Sequence, residues 1–231
     1  VDHREAYARP PMSRKNHSGS SPGRFATAKK TVKREIREPR PASPPEHRNQ
    51  VRIIGGEWRG RKLHFPQSPA IRPTPDRVRE TVFNWLQPHV AGARCLDLFA
   101  GSGALGFEAL SRGAREVVFV DTDRDAVRHV VEMLQTLRCD RGTALNLTAD
   151  AFLSQAPSPF DLVFLDPPFA DRALAPICER LERGGWLAPD ARIYLEDAAS
   201  GGEPVLPAGW VLLRSKRAGE VGYHLARRQP G

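Results

Sequence analysis

Long apolar runs are missing from this chain. No stretch approaches the ~20 residues needed to cross a bilayer, and the first residues carry charges and prolines where an export signal would be apolar. Both absences lead us to expect a cytoplasmic protein with no membrane partner. Cysteine is scarce as well. Cys95, Cys139 and Cys178 are odd in number, far apart and without His or Cys neighbours at metal-ligand spacing, which argues for reduced thiols and against a disulfide framework or a zinc site. Aromatic residues make up only 7% of the chain, and residues 1–49 hold few of them and no sustained hydrophobic period. Ser, Pro, Gly and Arg fill that segment, so it cannot bury enough surface to offset its ordering entropy. It reads as a disordered basic tail, and the natural start is open between Val1 and Met12.

Basic charge is what the chain has in excess, and its placement matters more than its sum. The 231 residues carry a net +8, yet residues 1–50 hold 12 Lys/Arg against 5 Asp/Glu while the remainder holds 23 against 22. The tail is therefore either a solvated extension or an RNA-binding arm. Within the remainder, Arg52, Arg59, Arg61, Lys62, Arg72, Arg77 and Arg79 crowd into residues 51–80, as on a surface that docks on phosphates.

"VRIIGGEWRGRKLHFP" from Val51 reads as two short strands about a tight turn at Gly55-Gly56. Basic side chains interleave with Trp58 on one exposed face. "IRPTPDRVRETVFNWL" then places Val78, Val82, Phe83 and Leu86 at helical spacing, with Thr74 or Asp76 available as a cap. Arg77 and Arg79 fall off that apolar stripe, toward solvent or the mouth of a site. After Gly92, short buried strands alternate with amphipathic helices: "ARCLDLFA", a helix over 104–112, "EVVFVD", "DAVRHVVEMLQTL", "FDLVFLD", a helix over 174–182, and "ARIYLE". The spacing predicts an α/β fold with a doubly wound, mostly parallel, Rossmann-like sheet. A hairpin over 210–228 turning at Ala218-Gly219 would add an antiparallel edge, and the N-terminal β-hairpin is a small appendage.

Chemistry concentrates at strand ends. In "LDLFAGSGALGFEAL", Gly101, Gly103 and Gly106 keep the G-x-G-x-x-G spacing of a tight, ligand-approaching strand-to-helix turn. Asp121 ends the second strand, where an acid accepts ribose hydroxyls in NAD enzymes and in S-adenosylmethionine (SAM) enzymes alike. Asp97, beneath the loop, suits an amino group better than a pyrophosphate, which it would repel. Asp150 is placed to meet an adenine amino group, or else is a plain loop acid. In "LDPPF", Pro167 and Pro168 cannot continue a ladder, so Asp166 and Phe169 stand on a stiff ledge at a strand's carboxyl end. Asp166 and a backbone carbonyl held by Pro167 can orient a nucleobase's exocyclic amine, and Phe169 can stack on the base, which must arrive unpaired or flipped.

Together "RIIGGEWRGRKL", "RPTPDRVRETVFNWL", "DLFAGSGALGFEALSRGA" and "DPPF" resemble the bacterial small-subunit ribosomal RNA guanine-N2 methyltransferase family of the RsmD type, over about 51–228. The resemblance implies a class I SAM-dependent methyltransferase fold and methyl transfer to the N2 amine of one guanine in 16S rRNA. SAM would leave as S-adenosylhomocysteine, without a metal. It implies SAM contacts from Asp97, Phe99, Gly101, Gly103, Asp121 and Asp150. Base contacts would come from Asp166, Pro167, Pro168 and Phe169, and RNA contacts from Arg52, Trp58, Arg59, Arg61, Arg72 and Arg77. The expected partner is the 30S subunit or its assembly intermediate, met by a monomer. The divisions that follow are the tail over 1–49, an RNA-contacting hairpin and helix over 50–90, and a methyltransferase domain over 91–231. Two rivals remain from the residues alone: a DNA adenine-N6 or cytosine-N4 methyltransferase, and a non-catalytic RNA-binding assembly factor. An NAD oxidoreductase lacks a Tyr-x-x-x-Lys or catalytic His constellation in this sequence.

Overall fold

Val51 and Leu63 turn inward while Arg52, Lys62 and His64 turn out, and this two-residue period makes the first strand pair. The computed structural model describes residues 50–65, 74–168 and 174–229, so the expected tail over 1–49, Arg72 and Phe169 lie outside the described residues. Strands β1 (Gln50–Arg52) and β2 (Lys62–His64) are antiparallel, with Arg52 opposite Lys62. The connection is longer than the expected tight turn. Gly60 N–H donates to the Ile53 carbonyl (2.8 Å), and Ile53 N–H to that of Arg61 (2.8 Å). Gly55-Gly56 is pressed on a neighbouring helix instead of forming a tip. Gly56 has φ +77°, and a Cβ there would lie 1.8 Å from the Ser111 carbonyl oxygen, which no side chain could tolerate.

Helix α1 (Asp76–Val90) buries Val78, Val82, Phe83 and Leu86 as their spacing requires. Neither expected cap operates. Pro75 stands at the N-cap without a side-chain bond, and Thr74 instead donates its hydroxyl to Glu196 (3.3 Å).

The remaining strands form one sheet. Strands β3 (Arg94–Asp97), β4 (Glu116–Asp121), β5 (Gly142–Asn146), β6 (Phe160–Leu165) and β7 (Leu187–Ala198) run parallel, and β8 (Trp210–Ala218) and β9 (Val221–Arg228) form the antiparallel hairpin. The order is β5-β4-β3-β6-β7-β9-β8. The order in which strands are added reverses between the parallel neighbours β3 and β6, the switch point at which open α/β sheets bind ligands. The intervening helices are α2 (Ala104–Ser111), α3 (Arg124–Thr136), the short α4 (Ala149–Phe152) and α5 (Leu174–Arg183). Cys95 and Cys178 are buried, Cys139 is half-buried, and all three are free thiols. No helix among the described residues is long and apolar enough to cross a membrane.

The sheet buries two apolar layers. One carries α5, with Ile177 and Cys178 on Val163 and Ile193; the other carries α1 and α2 on Phe119, Phe164 and Tyr194. Ile53, Trp58 and Leu63 belong to the second layer, so the expected boundary at residue 90 does not divide two cores. Trp58, expected on an exposed RNA face, is only 6% exposed, with the Arg141 guanidinium 5.8 Å from its ring. Burying an indole is worth more than presenting it to water.

Arg79 departs most from expectation. It is fully buried, its guanidinium donating to the Thr74 carbonyl (3.1 Å) and the Arg52 carbonyl (2.9 Å) and facing Asp76. Burial lowers its pKa, opposed by Asp76 and Glu108. Glu108 of α2 is equally buried. Its carboxylate accepts Ile54 N–H and Gly55 N–H (both 2.8 Å) and Arg112 Nε–H (2.7 Å), and it lies 3.6 Å from Arg79. Together with Ser111, whose hydroxyl donates to the Gly55 carbonyl (2.6 Å) and accepts Trp58 N–H (2.9 Å), this acid fastens the loop of the N-terminal strand pair to the helix that follows the glycine loop.

Candidate active site

The three glycines of the loop have three different reasons to be glycine. Gly101 (φ +49°) has nothing within 4 Å of the position a Cβ would take, so its backbone faces open space. At Gly103 (φ +73°), the N-terminus of α2, a Cβ would meet the Phe107 ring at 2.7 Å. A Cβ on Gly106 would reach the Phe119 ring of β4 at 2.1 Å. The first glycine opens the loop to a ligand; the other two let helix and sheet close beneath it. Leu98 N–H bonds the Phe164 carbonyl and Ala100 N–H the Val120 carbonyl, which ties the loop to both neighbouring strands. Phe99 is half-buried beside the α5-side layer.

Asp121, at the end of β4, accepts Gly101 N–H (2.7 Å) on one oxygen and Asp123 N–H (2.8 Å) on the other. An ionised carboxylate has about four acceptor sites, so both oxygens can still receive hydroxyl donors. Asp97 is 3% exposed and accepts Gly106 N–H (3.0 Å). Burial raises its pKa to about 7; the Gly106 N–H holds it down, and the charges of Asp121 and Glu196 raise it further.

Asp166 is half-buried just beyond β6, with Pro167 buried and Pro168 exposed. Its pKa stands well above the usual carboxylate range, raised by burial and then by the charges of Glu196 and Asp97. Strand register explains the crowding. Asp97 pairs with Phe164 on β6, and Leu165 pairs with Leu195 on β7, so Asp97, Asp166 and Glu196 line the carboxyl edge of three adjacent strands. Glu196, 4% exposed, accepts the Tyr194 hydroxyl (2.6 Å) and the Thr74 hydroxyl. Its own pKa is raised by burial, against those two hydrogen bonds. Glu196 and Tyr194 escaped the sequence reading, and Thr74 entered it only as a possible helix cap. The available signal was an acid inside the apolar strand "ARIYLE", at the level where Asp97, Asp121 and Asp166 end theirs.

Other expected residues are spread more widely. Asp150 sits in the first turn of α4, capped by Thr148, and its exposed carboxylate is paired with Arg180 of α5. Arg52 (3.7 Å from Asp76), Arg59, Arg61 and Arg77 are exposed. A hollow of about 440 Å³ lined by Leu134, Arg138 and Cys139 opens on the β5 side, away from the acids. No cluster of three His, Cys, Asp or Glu among the described residues is arranged for a metal ion.

A carboxyl group whose pKa rises on folding destabilises the fold once it must ionise. Asp97 therefore withdraws stability progressively as pH climbs from the carboxylate range to about 7, and the effect is complete above that. The melting temperature is expected to fall between about pH 4 and pH 7, and Asp97→Asn, which cannot ionise, should flatten that fall. Superimposable melting profiles for the two proteins would contradict the assignment.

A glycine loop and buried acids at a switch point are common to several enzyme classes, and comparison with known proteins narrows them. A family model described as conserved hypothetical protein 95 matches residues 51–227. Ribosomal RNA small subunit methyltransferase D of Escherichia coli strain K12 is 49% identical over 180 residues, covering 78% of this chain and 91% of that protein. The chain belongs to the RsmD-type methyltransferase family. Its Haemophilus influenzae relative of the same name is 45% identical over 190 residues, covering 78% of this chain and 95% of the relative. The solved structure of yhhF from Escherichia coli superposes with a TM-score of 0.75 at 47% identity, covering 79% of this chain and all of that one. The RsmD-type fold is thus reached by the sheet order and by the likeness together, and the protein is a methyltransferase.

Proposed function

We propose that this methyltransferase uses SAM to methylate the exocyclic N2 amine of a guanine in small-subunit rRNA. It would act as a cytoplasmic monomer on the 30S particle or its assembly intermediate. The observation that carries the reading is the row of three acids, buried Asp97 and Glu196 with half-buried Asp166, beside a glycine loop open at Gly101. Acids that resist ionisation gain most from a cationic neighbour, and SAM carries both an ammonium and a sulfonium, so the residues fit the cofactor. Asp97 and the backbone at Gly101 and Gly103 would hold its amino-acid end, Asp121 its ribose, and Phe99 and Asp150 its adenine side, provided that Asp150 exchanges Arg180 for that contact. When bound, SAM supplies an electrophilic methyl group.

The chain's own residues do the rest. Pro167 and Pro168 stiffen the ledge on which Asp166 stands. The Asp166 carboxylate would accept a hydrogen bond from the guanine amine and orient its nitrogen, and its raised affinity for protons suits it to take the one the amine loses. Thr74 and Tyr194 hydroxyls hold Glu196 behind it. Phe169 would stack on the base, and Arg52, Arg59, Arg61, Arg72 and Arg77 would meet phosphates; buried Trp58 is not proposed as a contact. The relatives named as small-subunit rRNA methyltransferases support the substrate class. Radiolabelled SAM offered with naked small-subunit rRNA, undermethylated small subunits or duplex DNA, followed by nucleoside analysis, tests the reading. N2-methylguanosine is expected from rRNA or subunits; methyladenine or methylcytosine in DNA would overturn it.

A further inference from the structure

Most arginines among the described residues sit within 4 Å of a carboxylate, as Arg94 does with Glu116, Arg141 with Glu57 and Arg228 with Glu182. Strand β8 breaks the pattern. Arg214, Lys216 and Arg217 are all exposed, and none has an acidic partner among the described residues; Arg214 and Arg217 bond only local carbonyls, of Leu213 and Gly219. Like charges this close on one strand repel one another, so the arrangement waits for an anion from outside.

Their position is set by register. Lys216 pairs with Tyr223 of β9, and Tyr223 with Glu196 of β7. Lys216 therefore lies two strand spacings, roughly 10 Å, from Glu196 at the same level of the sheet, and about one spacing more from Asp166. Arg217 and the β8–β9 turn stand at the carboxyl edge itself. The ammonium of Lys216 lies 5.9 Å above the ring of half-buried Trp85, which is in turn stacked on Tyr223 (centroids 5.6 Å apart, 21° between planes). Trp85 shares a stripe of α1 with Arg77 and Thr81, whose hydroxyl bonds the Arg77 carbonyl. β8 is also the outer strand of its sheet. Charge at an edge discourages pairing with a second copy, which accounts for one lysine but not for three unpartnered cations beside the acids.

Resting on the RNA substrate proposed above, we infer that Arg214 and Lys216 on the Trp85 face of β8, with Arg217 at the strand's carboxyl end and Arg77 of α1, form a second phosphate-binding rail. Arg214, Lys216 and Arg217 grip the backbone of the RNA strand on one side of the base that enters at Asp166. The distance of two to three strand spacings suits the nucleotides flanking that base.

The triple variant Arg214→Gln/Lys216→Gln/Arg217→Gln tests this, with Arg124→Gln/Arg138→Gln, two exposed arginines on and after α3, as the control for surface charge lost elsewhere. Binding to naked small-subunit rRNA is measured by filter retention across a salt series. Each lost single-strand phosphate contact lowers the slope of log affinity against log salt by about 0.7, so the triple variant is expected to lose about 2 and the control far less. The KM for RNA should rise about tenfold or more while the dissociation constant for SAM stays with the parent's. Equal slopes in parent and triple variant, equal losses in both variants, or a parent that binds no rRNA would overturn the inference; edge pairing in its place would show as a concentration-dependent dimer in the triple variant. Failure of the parent to methylate guanine would count against the proposed function alone, since the salt slope is read without turnover.

Discussion

Replacing Asp166 by alanine is expected to cut methyl transfer by about 100- to 1000-fold, the loss typical of removing one preorganised polar group from a reacting centre. SAM affinity should stay within about threefold of the parent, because Asp166 stands across the switch point from the loop that would hold the cofactor. The variant should melt at the parent's temperature or above it. Asp166 is a half-buried acid crowded by Glu196 and Asp97, so its removal relieves repulsion while it disables chemistry. Asp121→Ala should show the opposite pattern, weakening SAM binding first, since Asp121 holds Gly101 N–H. Single-turnover rates and titration calorimetry on both variants decide the matter: full turnover with unchanged affinity in both would remove the site assignment.

The second large effect concerns stability. Glu108→Ala is expected to destabilise the fold by about 3–5 kcal/mol, the cost of leaving a buried charge partner uncompensated. Two buried or half-buried arginines, Arg79 and Arg112, lose their carboxylate, and Ile54 and Gly55 lose an acceptor. For a chain of this size that corresponds to a melting temperature lower by about 10 °C or more. The loop over 53–61 should become protease-sensitive before the sheet does, because Glu108 shares with Ser111 the task of tethering it to α2. Glu108→Gln, which keeps an acceptor oxygen but no charge, should fall between. A Glu108→Ala protein that melts within a degree or two of the parent would show that the network is dispensable.

Asp166 was legible from sequence and Glu108 was not, and the difference is physical. Asp166 announces itself because two prolines after an apolar run leave the chain few conformations, and an acid fixed there has a local cause. Gly101, Gly103 and Gly106 are legible for the same reason: the turn they permit is decided within six residues, and the structure gives each a separate steric role. Glu108 in "GFEAL" looks like any helical glutamate. Its burial depends on a loop 53 residues earlier that folds back on α2, and no local pattern encodes that contact.

By itself, then, the sequence determined the alternation of strands and helices, the glycine loop, the acids at the ends of β3, β4 and β6, and the antiparallel hairpin over 210–228. All of these follow from hydrophobic period and turn chemistry acting over a few residues. Tertiary structure alone decided that Arg79 and Trp58 turn inward, that Thr74 reaches Glu196 instead of capping α1, and that Glu196 joins Asp97 and Asp166 in one acidic row. It also brought β8's unpaired cations to the edge where those acids stand. Each of these depends on which strand lies beside which, a choice fixed by burying two apolar layers at once and invisible to any window of neighbouring residues.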